Sequence, residues 1–411
     1  MGISAIAISL AFVCAWACSS GAPGGAGNLD GGPPASSDDA GGVSDAHAPG
    51  ADGGHRDGGA ANDGGGGGGG GDAGADADAG VDAGSPAVRW IGRFELDDAG
   101  PEAEWTASAM EARFAGSSVS ANLGGTGNFF EVVVDGVVQS VLETDGGTTY
   151  PLASGLSNAA HDVVVFRRDE PGDGPATFAG FDLGDAGVLL PPSAPVHRIE
   201  VIGDSITCGY GDECDNASEN FTPATENGYL AYGPLTARAL GADVHVVAWS
   251  GKGMYVNLDG TMTETVPILW ERTIPTDPTS TWNPSFWIPD AVVINLGTND
   301  YGTGTDPSAG FESTYLAFVT HLKSVYPNVY VFACVGPMLA DPDYTDAKTA
   351  ITNVIAALSE GGDPRMQLVE FPTEDCGTDG SNCGCAYHPK LAEHQTMATI
   401  LEGAMHAALG W

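Results

Sequence analysis

The run His197-Arg198-Ile199-Glu200-Val201-Ile202-Gly203-Asp204-Ser205-Ile206-Thr207 constrains this chain more than any other stretch. Ile199, Val201 and Ile202 favour a pleated, buried strand, and Gly203 tolerates backbone angles that a side chain forbids at a tight turn. The spacing predicts a strand that stops abruptly and presents Ser205 at its carboxyl end. Open α/β sheets place their ligands at that end of the strands.

Similar runs recur downstream. Residues 243–249 end at Ser250-Gly251-Lys252-Gly253, residues 291–296 end at Gly297-Thr298-Asn299-Asp300, and residues 329–335 and 367–371 complete a set of five. Between them, Phe311, Tyr315, Phe318, Leu322 and Val325 recur at helical spacing, and residues 345–358 and 391–409 read as further helices. Strands that are apolar throughout are covered on both faces, so residues 193–411 are expected to form an α/β domain with a doubly wound, parallel five-stranded sheet. Residues 87–192 read differently. Period-two alternation in Met110-Glu111-Ala112-Arg113-Phe114, the valine runs at 132–134 and 163–165, and Asp135-Gly136 between 132–134 and Val137-Val138 predict short strands and a tight hairpin, hence an all-β sandwich of the jelly-roll kind. Leu190-Pro191-Pro192-Ser193-Ala194-Pro195 reads as a stiff connector.

The first 86 residues carry no fold signal of this sort. Residues 2–17 are apolar but short for a membrane span, and Ala15-Trp16-Ala17-Cys18 resembles the lipobox of bacterial lipoproteins, with an ordinary signal peptide as the alternative. Either way the protein is expected to be exported, secreted or tethered at the outer surface through a lipidated Cys18. Residues 19–86 are almost wholly Gly, Ala, Asp, Ser and Pro, a composition without the apolar side chains that offset ordering entropy, and read as a tether. Eleven Asp and one Arg there contribute -10 of the net charge of -40, leaving -30 on the remainder. So acidic a body repels nucleic acid and anionic membrane surfaces, while neutral polymers such as polysaccharide remain open as partners.

Export permits disulfides among Cys208, Cys214, Cys334, Cys376, Cys383 and Cys385, with connectivity left open by the spacing. Zinc held by Cys376, Cys383, Cys385 and His388 is the rival reading, with spacing unlike that of zinc fingers.

Three strand-end loops carry Ser205, Gly251 and Asn299, and a fourth loop carries His388. A serine hydroxyl needs a base within hydrogen-bond reach and donors for the oxyanion formed on attack. His388 is the candidate base; the Ser205 and Gly251 N–H groups with the Asn299 amide are candidate oxyanion donors.

Gly203-Asp204-Ser205-Ile206-Thr207, Ser250-Gly251-Lys252-Gly253, Gly297-Thr298-Asn299-Asp300 and Tyr387-His388-Pro389 resemble, in order, the four blocks of the SGNH or GDSL hydrolases. With the first block in its extended form over residues 203–211, and with Gly92-Arg93-Phe94, Asn128-Phe129-Phe130 and Phe178-Ala179-Gly180-Phe181, the chain resembles carbohydrate esterase family 2 over residues 90–411. The resemblance implies a jelly-roll domain joined to a serine esterase domain, no metal or organic cofactor, and removal of acetyl groups from xylan or glucomannan by a monomer. One position departs from the pattern. The acidic residue usual three positions before the histidine is Cys385, so a Ser205–His388 dyad is expected, its ring oriented by the carbonyl of Cys385 or Ala386, with Asp375 and Asp379 as alternative partners.

Asp204 reads as a turn former. His321, His394 and His406 read as surface or packing residues, and Trp249, Trp270, Trp282 and Trp287 as core or loop packing. Because sugars stack on aromatic faces, Tyr255, Trp287 and Tyr301, with Trp282, are also candidates for lining the cleft. Two other functions fit the same residues: a carbohydrate-binding surface protein with a weak hydrolase site, and a GDSL lipase or thioesterase, for which no long apolar lid segment is present.

Overall fold

The computed structural model describes residues 87–97 and 100–411. The leader, Cys18 and the tether lie outside the described residues.

Long strands organise the N-terminal β-sandwich. Ala109–Gly124 pairs antiparallel with Thr149–Arg167, and also with Val88–Ile91, Val188–Leu190 and Ala176–Asp182 at different points along its length. Its side chains alternate between the interior and the surface, and Phe114, Phe130, Val163, Val165 and Phe178 fill the interior. The hairpin expected at Asp135-Gly136 is present. Both residues have positive φ, 51° and 74°, and Val134 pairs with Val137.

The C-terminal domain is a parallel sheet of five strands in the spatial order Ala242–Ala248, His197–Gly203, Ala291–Asn295, Tyr330–Val335, Met366–Glu370. Alternation along each strand sends side chains to two separate cores. Ile202, Val247, Val292 and Ile294 meet Phe311, Tyr315, Phe318 and Leu322 of helix Ser308–Val325, and Ile351 and Val354 of helix Asp343–Glu360. Val201, Val246, Val293 and Phe332 meet Tyr232 of helix Tyr232–Ala239, and Met397, Leu401 and Met405 of helix Leu391–Leu409. The strand leading to Ser205, first of the five in sequence, lies between the second and the third in the sheet, which is where strand order reverses and a crevice opens at the carboxyl ends.

The two domains share their interiors. Trp105 of the sandwich belongs to one core of the α/β domain, and Ala107, Ala109 and Phe166 to the other. Arg93 pairs with Glu200 of the serine strand at 2.9 Å, both side chains 1% exposed, and the second Glu200 oxygen accepts from Trp270 Nε1 at 3.0 Å. Arg168 Nε donates to the Glu226 carbonyl at 2.8 Å, and Thr276 Oγ1 donates to Glu104 at 2.7 Å. The proline-rich connector thus joins bodies already locked by buried charge pairs, for which separation would strand charges in an apolar interior.

Candidate active site

Ser205 opens the short helix Ser205–Cys208 directly after its strand. Asp204 caps that helix, its Oδ1 accepting from the Ile206 N–H at 3.0 Å, which is the turn-forming role its side chain suits. Its other oxygen is buried without a hydrogen-bond partner among the described residues, and burial raises the carboxyl pKa to about 7 against the pull of the Ile206 N–H. Gly203 is required by close approach, since a Cβ there would lie 2.0 Å from Thr207 Oγ1.

The loop after Ala242–Ala248 carries Gly251 at φ 76°, in the left-handed region, with open space where a side chain would stand. Among the described residues, neither the Gly251 nor the Ser205 N–H donates to an acceptor. Asp300 fixes this loop by accepting from the N–H groups of Met254, Tyr255 and Val256 at 2.9, 2.7 and 2.9 Å. Its neighbour Asn299 is buried, and Asn299 Nδ2 donates one hydrogen to the Lys252 carbonyl at 2.8 Å, which orients the amide and leaves its second hydrogen for another acceptor.

His388 closes the site. Its Nε2 lies 2.8 Å from Ser205 Oγ, and its Nδ1 lies 3.1 Å from the Cys385 carbonyl oxygen. A carbonyl can only accept, so Nδ1 carries the proton and the Nε2 lone pair faces the serine hydroxyl. Burial pushes the imidazole pKa down to about 4, opposed by the carbonyls of Cys385 and Ala386. The backbone that delivers this carbonyl is strained, with Ala386 at φ 52° and Tyr387 at φ 64°, at a cost of ~1–2 kcal/mol for each non-glycine residue. The same Cys385 carbonyl also accepts the His388 N–H at 3.1 Å.

A disulfide, Cys214–Cys385, ties this turn to the loop that follows the serine helix, and Cys376–Cys383 closes a second bridge nearby. Cys385 N donates to the Gly211 carbonyl and Ala386 N to the Ala217 carbonyl, each at 3.1 Å. Three of the four groups in the zinc reading are therefore oxidised sulfurs, which are not thiolate ligands. Cys208 and Cys334 are buried free thiols. Neither alternative carboxylate reaches the histidine: Asp375 accepts from Gly377 N at 3.0 Å and Asp379 from Ser381 N at 3.1 Å, both in local turns.

The aromatic candidates make different contacts. Trp287 stacks on His245, centroids 3.6 Å apart, and lies 5.8 Å from the Arg198 guanidinium, at the opposite end of the serine strand from Ser205. Proximity in sequence misplaces it because the long loop before Ala291–Asn295 returns the chain to the amino ends of the strands. Tyr301 is buried, with its hydroxyl 3.3 Å from Ser308 Oγ, and the half-buried Tyr255 ring lies against Gly310. Trp282 faces the Arg93 guanidinium at the domain junction.

One further aromatic residue borders the site. The Tyr210 ring lies 4.5 Å from the His388 ring and stacks on Phe221 at 3.8 Å. Trp249 is half-buried, with Lys252 Nζ 4.8 Å above its ring and Gly172 of the sandwich against it. Tyr210 lies in the 203–211 stretch that carries the resemblance, and Trp249 packs against the core as its sequence reading has it. His394 is a packing residue, its Nδ1 accepting from the Tyr232 N–H at 3.2 Å.

Residues 90–192 match the carbohydrate esterase 2 N-terminal family, and residues 201–363 the GDSL-like lipase/acylhydrolase family. A solved family two carbohydrate esterase from Clostridium thermocellum, in complex with cellohexaose, is 36% identical, with TM-score 0.75, over 79% of this chain and 99% of that one. This chain belongs to carbohydrate esterase family 2. The cellulase/esterase CelE of Acetivibrio thermocellus is 36% identical over 332 residues, 80% of this chain and 40% of that protein, so the family 2 chain spans less than half of CelE's length. An acetylxylan esterase / glucomannan deacetylase of Cellvibrio japonicus is 29% identical over 313 residues, 72% of this chain and 83% of its own length.

Proposed function

We propose that this protein is an exported carbohydrate O-deacetylase that hydrolyses acetyl esters of plant polysaccharides such as xylan and glucomannan, through a Ser205–His388 dyad. The observation that carries the reading is the 2.8 Å contact of His388 Nε2 with Ser205 Oγ, the ring held in the required tautomer by the Cys385 carbonyl. Ser205 Oγ attacks the acetyl carbonyl carbon as His388 Nε2 takes its proton. The negative charge that develops on the carbonyl oxygen falls to the Ser205 and Gly251 N–H groups and the free hydrogen of the Asn299 amide. His388 then protonates the departing sugar oxygen, leaving an acetyl ester on Ser205. Water, deprotonated by His388, attacks that ester and releases acetate. Neutral polysaccharide is the partner compatible with so acidic a chain, and the names of the relatives support xylan and glucomannan as substrates.

The test is acetate release from acetylated xylan and acetylated glucomannan by the wild type, Ser205→Ala and His388→Ala. Release by the wild type and its near-complete loss in both variants is expected. No release from either polymer, or full activity in Ser205→Ala, refutes the reading. Export and lipidation of Cys18 are tested separately, by membrane fractionation and by mass spectrometry of the mature N-terminus.

A further inference from the structure

A carboxylate of the sandwich reaches the loop that carries Gly251. Glu170 follows strand Thr149–Arg167 and is buried, and its backbone N–H donates to Glu226 Oε2 at 2.9 Å. Its neighbour Arg168 is anchored on the Glu226 carbonyl. From this fixed position Glu170 Oε2 accepts the Ser250 N–H at 2.7 Å, one residue before Gly251. The Cys208 thiol, on the last residue of the helix that Ser205 begins, lies within 4.8 Å of the same carboxylate. The two backbone segments presenting the Ser205 and Gly251 N–H groups therefore lie against one side chain from the other domain.

We propose that Glu170 is a positioning residue that holds the Ser250–Gly251 peptide in register with the serine helix, so that both N–H groups converge on one oxyanion. The proposal rests on the esterase reading above. Oxyanion donors act only when preorganised within hydrogen-bond distance of the developing charge, so slack in the Gly251 loop lowers turnover more than ground-state binding. It also gives the sandwich a part in catalysis that requires no sugar contact. Burial raises the Glu170 pKa to about 7, with the Ser250 contacts opposing, and an acceptor oxygen is present in either protonation state.

Three substitutions in the full chain, assayed with an aryl acetate, separate positioning from simple packing. Glu170→Gln keeps an acceptor oxygen at the same reach, Glu170→Asp keeps the charge but withdraws it by one methylene, and Glu170→Ala removes both. Glu170→Gln is expected to keep kcat within about threefold, while Glu170→Asp and Glu170→Ala lower it ~10- to 100-fold with KM nearly unchanged, less than the loss of a whole donor. A packing role would lower thermal stability without this split between kcat and KM. Should Glu170→Ala fail to fold, the comparison of Asp with Gln still decides. Equal kcat for those two in an active wild-type background overturns the positioning role alone, whereas a wild type inert toward acetate esters overturns the esterase reading and this inference with it.

Discussion

At the scale of single residues, the site turns on how little charge surrounds His388. No carboxylate among the described residues pairs with its ring, and burial holds its pKa near 4. A base with so low a pKa is already unprotonated in mild acid. The acid limb of kcat/KM should therefore fall near pH 4 to 5, below the 6.5 of an ordinary imidazole; a limb at 6.5 or above contradicts this environment. On the mechanism proposed above, with no acid to steady the imidazolium, the oxyanion donors would carry more of the transition-state stabilisation. Asn299→Ala should lower kcat by ~10²- to 10³-fold with little change in KM, measured on an aryl acetate, and a loss under threefold would remove Asn299 from that role. Ser205, Gly251 and Asn299 were legible as residues because each stands in a motif at the end of an apolar run, and His388 because Tyr387-His388-Pro389 resembles the fourth block of the SGNH pattern. Asp300 and Glu170 were not, since a buried carboxylate that accepts distant backbone N–H groups leaves no local pattern.

The element that matters most is the turn carrying His388. Two consecutive non-glycine residues in the left-handed region do not persist unless their surroundings impose them. Here the Cys214–Cys385 bridge, spanning 171 residues of sequence, and the bonds to Gly211 and Ala217 supply that constraint. Replacing both cysteines by serine should cost ~2–5 kcal/mol of stability and lower kcat more than it raises KM, because the Cys385 carbonyl loses its anchor. Denaturant unfolding and acetate kinetics on the double variant check the two effects, and unchanged kcat in a folded variant shows that the bridge does not orient the ring. The sequence showed cysteines crowding this region but not which pairs form, because connectivity follows from how the loops after Ser205 and before His388 approach in space.

Across the whole molecule, buried carboxylates lie along the contact between domains and around the site. Burial raises Glu170 and Asp204 to about 7 and Glu374 to about 8. Groups whose folded pKa exceeds the unfolded value contribute stability that is full below the unfolded pKa, near 4, and is lost as pH rises through the folded one. His388 and His394, depressed to about 4 and 3, act oppositely but only below about 6.5. From pH 6.5 to 8 these carboxylates titrate, and His161, raised above 6.5 by the Ser157 carbonyl and Asp135, acts in the same direction, so Tm should fall across that interval; a flat or rising Tm would contradict protonation of these groups in the folded state. The sequence by itself determined the two folds, through alternating valine runs before residue 190 and continuous apolar runs after it, and placed Ser205 at a strand end, because burial periodicity and turn chemistry are local properties of the chain. Only the tertiary structure decided that the domains share buried ion pairs, that Trp287 lies away from Ser205, and that a cysteine carbonyl stands where an acid is usual. Those facts depend on distances between residues far apart in sequence, such as the 2.8 Å between His388 and the serine that follows the first parallel strand.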